Sequence, residues 1–173
     1  MSILYRVTQF WWNVTADALP ESARGEIVAT LSGPEMDLFT CFEEQGQWHA
    51  YRVFRTLRDA GHCQPNLLAA ALLHDVGKTR EPLSIWDRVL IVIVETLLPS
   101  QIDIWGRGGA QGWKRPFVVR AQHARWGAEM AEAAGSDPVT VKLILRHQDK
   151  LRSGPATVED EMLLLLQWAD DQN

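Results

Sequence analysis

Cysteine is scarce in this chain. Cys41 and Cys63 are the only two, and their separation matches neither a metal knuckle nor a redox pair. The plain expectation is two core thiols in a reducing cytoplasm. An excess of positive charge is missing too. Lys and Arg number 17 against 22 Asp and Glu, a formal net charge of −5, so no stable nucleic-acid complex is expected. Long apolar runs are also lacking. The most membrane-like stretch, RVLIVIVETLL at residues 88–98, is far short of the ~20 residues a spanning helix needs. Asp87, Glu95 and Pro99 interrupt its surroundings. A buried helix is the expectation there, with a helix lying on a membrane or docking a partner chain as the other reading. The N-terminus, MSILYRVTQFWWNVTADALP, lacks the basic start, uninterrupted apolar stretch and small-residue cleavage site of a signal peptide. Strand alternation, internal repeats and a domain linker are absent as well.

What is present is helical. Hydrophobic residues at 46% and charged residues at 23% exclude a disordered chain. A length of 173 residues suits one domain with its own core. Helical signals punctuated by Gly, Pro and Asp predict helices near 3–16, 20–31, 34–42, 45–60, 65–76, 83–98, 116–134, 138–151 and 158–170, an all-α fold. Asp137-Pro138 and Thr157-Val158-Glu159-Asp160 mark two helix starts, the first an N-cap followed by proline and the second close to a capping box. WGRGGAQGWKRP, residues 105–116, has the composition of a flexible surface loop.

Four of the five histidines obey one geometry. His49 lies twelve residues before Gly61 and His74 ten after Gln64. In an antiparallel hairpin, a rise of ~1.5 Å per residue brings them to nearly the same level. His123, twelve before Gly135, and His147, ten after Asp137, repeat the arrangement. His62, in the Gly61-His62-Cys63 turn, breaks it and is expected at the surface. Asp75 adjoins His74 just after the apolar run Leu67–Leu73, with Gly77 as the expected helix stop. A carboxylate there meets the negative end of a helix and the cost of burial. Neutral imidazoles beside it suit a divalent first-row metal, whose charge offsets that cost. Near the C-terminus, the apolar helix LLLLQWADDQN runs into Asp170 and Asp171. It offers either another ligand or a solvated acidic tail.

With these residues assembled, the chain resembles the HD-domain superfamily of metal-dependent phosphohydrolases. The order His49, His74-Asp75, His123, His147, Asp170 follows the family's pattern, and HDVGK resembles its HD-x-G-K form. Residues 123–149 and the LQWAD segment resemble the HD-GYP branch. Gln148 stands where that branch has a second histidine, Gln45 where some members carry a third-metal glutamate, and the Gly-Tyr-Pro signature is missing. The resemblance covers about residues 45–171. It implies an HD-like helical bundle, with residues 1–44 as an N-terminal helical extension of one domain spanning 1–173.

The resemblance also implies two divalent ions, drawn from Mn, Fe, Mg, Ni, Co or Zn. His49, His74, Asp75 and Asp170 would hold one, and Asp75, His123 and His147 the second. Such a pair acidifies a shared water and clamps the oxygens of a phosphoryl transfer. The expected activity is therefore hydrolysis of a phosphate ester of a nucleotide or another small phosphorylated molecule. Asp75 is the bridging group, and Lys78 is placed to meet the phosphate as a point charge. Between Ile104 and Ala128 there is no Asp or Glu, while Arg107, Lys114, Arg115, Arg120 and Arg125 all occur. Arg52, Lys114 and Arg115 are expected to bind substrate, with the loop before His123 closing over it. Trp48, Trp126 and Trp168 lie near the expected ligands, either as hydrophobic support or as a base-stacking wall. Two other classes share the pattern: HD-fold diiron oxygenases and catalytically idle nucleotide-binding modules. A homo-oligomer is compatible with all three.

Overall fold

The computed structural model describes residues 18–151 and 154–173 of the chain. The helix expected at 3–16 lies outside the described residues. Among those residues no strand occurs, and nine α-helices follow one another. These are α1 (Glu21–Val28), α2 (Gly33–Thr40), α3 (Glu44–Asp59), α4 (Pro65–Leu73), α5 (Ile85–Leu97), α6 (Pro99–Trp105), α7 (Arg115–Ala133), α8 (Pro138–Arg146) and α9 (Val158–Asp171). Short 3₁₀ turns at Val76–Arg80 and Gly112–Lys114 lead out of α4 and into α7.

The centre of the bundle is α4. Every residue from Leu67 to Leu73 is buried, because α2, α3, α8 and α9 pack around it. Helix α3 answers with the stripe Ala50, Val53, Phe54, Leu57. Two hairpins, α3–α4 and α7–α8, carry the four histidines of matched spacing. Their turns close alike. Gly61 (φ 89°) and Gly135 (φ 78°) take the left-handed region, which only glycine enters at no steric cost. The next amides, of His62 and Ser136, then donate to Leu57 and Ala131 carbonyls, each at 3.0 Å. Two helix starts are capped as their composition predicts: Asp137 accepts from the Val139 amide and Thr157 from the Asp160 amide.

Several expectations need correction. Helix α4 stops at Leu73, before Gly77, and Gly77 keeps an ordinary φ. Its reason is a close approach: a Cβ there would run into the His123 carbonyl oxygen and the Gly127 amide nitrogen of α7. Helix α8 stops at Arg146 rather than near 151. The Gln167 side chain takes over there, donating to the His147 and Asp149 carbonyls at 2.9 and 2.8 Å. Helix α6 fills part of a connection that showed no helical signal. Both cysteines are exposed rather than in the core, Cys41 at the end of α2 and Cys63 after a turn, off any apolar stripe. Helix α5 is not a buried helix either. Only Ile91 and Val94 are buried in it, since α5 packs chiefly against α6 and α7.

Candidate metal centre

Six side chains from five elements converge where α3, α4, α7, α8 and α9 meet. On one side His49 Nε2 lies 3.4 Å from His74 Nε2 and 3.0 Å from Asp170 Oδ1. On the other His123 Nε2 lies 3.3 Å from His147 Nε2. Asp75 stands between the two groups. Its Oδ1 faces His123 (3.4 Å) and His147 (3.7 Å), and its Oδ2 faces His74 (3.6 Å) and His49 (3.8 Å). The packing of the 3₁₀ turn on α7, backbone against backbone at Gly77 and Gly127, brings Asp75 this close to His123. Asp170 belongs to the last turn of α9 and is not part of a solvated tail. Asn173 ties that end down, donating to Thr56 Oγ1 at 2.9 Å and to the Ala169 carbonyl at 2.7 Å.

The histidines are oriented from behind. Nδ1 of His74, His123 and His147 meets the carbonyls of Ala71 (3.0 Å), Val119 (3.0 Å) and Ile144 (2.7 Å). A carbonyl only accepts, so Nδ1 carries the proton and Nε2 offers its lone pair to the centre. Burial, with His74 adding to it, holds His147 down at about 4, so it is neutral at pH 7. Two Nε2 lone pairs 3.3 Å apart repel unless a cation or proton sits between them. His74 is raised: burial pushes it down, but the Asp75 and Asp170 carboxylates outweigh that. Burial would likewise raise Asp75, yet Lys78, then His74 and His123, hold it well below the usual carboxylate range. Asp170 is held low by His49 and His74 against the same burial penalty. The donor set could hold metal: four imidazoles, three of them oriented from behind, and two carboxylates whose values are lowered, arranged as two groups of three, His49, His74, Asp170 and Asp75, His123, His147.

A cleft of about 600 Å³ opens on this centre. His49, Asp75 and His123 form part of its floor, and Arg52, Lys78, Arg88 and Arg120 bring positive charge to its walls. Phe42, Leu83, Ile91 and Val119 supply an apolar side. Lys78, about half exposed at 48%, bonds Asp75 Oδ2 at 2.5 Å. Arg88 carries no local sequence signal for the site. It reaches the cleft from the first turn of α5, where its guanidinium donates to Gln45 Oε1 of α3 at 3.2 Å. Lys114 and Arg115 are not among the cleft's lining residues. Arg115 is engaged by Asp87 and the Pro82 carbonyl, both at 2.6 Å, and Lys114 lies over the Trp113 ring at 5.5 Å. None of Trp48, Trp126 and Trp168 lines the cleft; Trp126 is buried under Arg80.

No curated protein and no solved structure gives a significant match to the chain. A family model does: the HD domain matches residues 48–171, the span from the residue before His49 to the one after Asp170. Family model and convergent His/Asp groups agree on a centre suited to metal-dependent, hydrolase-type chemistry, and the chain belongs to the HD domain family.

Proposed function

We propose that the protein is a phosphohydrolase acting on a nucleotide or another small phosphorylated molecule. In this reading His49, His74, Asp75 and Asp170 hold one divalent ion and Asp75, His123 and His147 a second. The observation that carries it is the division of Asp75, one oxygen toward each histidine pair. Ions bound there would supply an acidified water and charge relief for phosphoryl oxygens. The chain's own residues do the rest. The Nδ1–H bonds keep three imidazoles aimed, so little reorganisation accompanies binding. Asp75 fixes the separation of the two groups. Lys78, already beside Asp75, serves as a catalytic cation for the phosphate. Arg52, Arg88 and Arg120 hold the remaining anionic oxygens, and the Phe42–Ile91 side of the cleft receives the uncharged part of the substrate.

The test begins with metal analysis of protein purified without chelator. Phosphate release is then followed under anaerobic conditions from a panel of phosphomonoesters and nucleotides. Metal-dependent release, lost in a folded Asp75→Asn protein, is the expected outcome. Bound iron with an oxygen-dependent mixed-valent signal and no anaerobic release would assign the centre to an oxygenase instead. Tight nucleotide binding without turnover across a full metal screen would make it a binding module.

A further inference from the structure

Helix α5 and the connection after it leave an apolar surface that the fold does not use. Trp86 is 77% exposed, Leu97 71% and Trp113 60%. Val89, Ile93 and Leu98 are exposed as well. A surface patch of this kind marks a docking face rather than a core.

Charge says what covers it. The two carboxylates of α5 are both neutralised, Asp87 by Arg115 and Glu95 by Arg120, each at 2.6 Å. Arg88, Arg107 and Lys114 have no carboxylate partner among the described residues. Residues 85–129 hold six cations (Arg88, Arg107, Lys114, Arg115, Arg120, Arg125) against four carboxylates (Asp87, Glu95, Asp103 and Glu129, the last 3.8 Å from Arg125). That is a net +2 in a chain whose total is −5. Lys114 sits on the ring of the exposed Trp113, an aromatic and a cation side by side. Apolar side chains, two exposed tryptophans and a local positive charge are what an interfacial helix presents to anionic lipid. A second copy of the chain would bring these cations face to face with themselves, which costs affinity. No helix among the described residues is long and apolar enough to cross a membrane, so α5 lies on the surface rather than through it.

We propose that the outer face of α5 and of the connection after it, with Trp86, Ile93, Leu97 and Trp113 inserted, docks the protein onto an anionic lipid bilayer. This stands independently of the hydrolase reading. Val92, exposed on the same helix, also lines the cleft, so the docked face reaches the cleft's rim.

The test is co-sedimentation of the full chain with vesicles of phosphatidylcholine alone and with about a third phosphatidylglycerol added. Binding is expected to the second and at least about tenfold less to the first. It should weaken as salt rises, because screening shortens the reach of the cations. The double variant Trp86→Glu/Ile93→Glu, and separately Leu97→Glu, should bind at least about tenfold more weakly while melting like the parent. All of these positions are exposed, so folding is not at stake. Failure of the full chain to sediment with either vesicle overturns the proposal, as does full binding by both variants. Salt-independent binding to neutral vesicles removes the anionic partner. A dimer in sedimentation velocity that Leu97→Glu dissociates would give the face to a second copy instead.

Discussion

Two apolar runs of similar length meet opposite fates in this molecule. Leu67–Leu73 is buried at every position, whereas Val89, Leu90, Val92 and Ile93 remain exposed on α5. Part of the difference is size. Ala69, Ala70 and Ala71 leave room for helices to approach α4 from several directions, while α5 is bulky all round. The rest is supply: four helices surround α4, and α5 packs chiefly against two. Apolar content therefore marks a helix that needs cover without saying what provides it.

The most direct way to break this comparison is to make one substitution in both runs. Leu72→Ala removes a side chain with 0% exposure and should cost about 2–5 kcal/mol, the range for a core leucine leaving a cavity. Leu90→Ala, 39% exposed, should stay within about 0.5 kcal/mol. Urea titrations of the two proteins check this, and comparable losses would mean that α5 is covered in solution.

A second test asks whether the packed half also sets the metal centre. Gly77→Ala forces a methyl against the α7 backbone at His123. The 3₁₀ turn must then lift away, at about 1–3 kcal/mol. Asp75 moves with the turn, so metal affinity measured by calorimetry should fall together with the melting temperature. Gly109→Ala, with nothing near its Cβ, should change neither.

This contrast explains what was legible in the chain and what was not. Counting residues from a turn was enough to bring His49 beside His74 and His123 beside His147, because each hairpin closes through a left-handed glycine and a helix rises uniformly. The helical class and most boundaries followed from local signals. The family resemblance put Asp75 between both groups, whereas the role of Gly77 and the arrival of Arg88 and Arg120 at the cleft depend on which helices pack together. No local pattern encodes that. The exposure of α5 was hidden for the same reason, since periodicity reports an apolar helix but not its surroundings.

A smaller effect separates the two halves by pH. Glu35, buried in the packed half, accepts from the Ser32 amide and hydroxyl and from the Ser136 hydroxyl at the α7–α8 turn. Burial raises its carboxyl, but these bonds outweigh the burial and leave it below its ordinary value. A depressed folded value means the bonds stabilise the protein above the unfolded carboxyl's pKa. That contribution is lost as pH falls through the folded value. Ser136→Ala should therefore cost about 1 kcal/mol near neutrality. The gap to the parent should narrow from roughly pH 5 downward. Melting curves across that range check it; a pH-independent gap would assign the loss to packing.

The smallest effect concerns Lys114, which distinguishes a cation of the cleft from a cation of the outer face. It does not line the cleft, and its ammonium lies over the exposed Trp113 ring. Removing its charge with Lys114→Gln should leave stability within about 0.5 kcal/mol, as for other surface positions. KM and kcat for a phosphorylated substrate should also be unchanged, because no group near the substrate is altered. Partition onto anionic vesicles should weaken about fivefold, since one cation near a charged membrane contributes about 1 kcal/mol. Arg120→Gln, a lining residue of the cleft, should behave the other way and raise KM. A rise in KM for Lys114→Gln with vesicle binding intact would mean that the glycine-rich connection reaches the cleft when substrate is bound. The cations of residues 104–128 would then serve the reaction rather than the membrane.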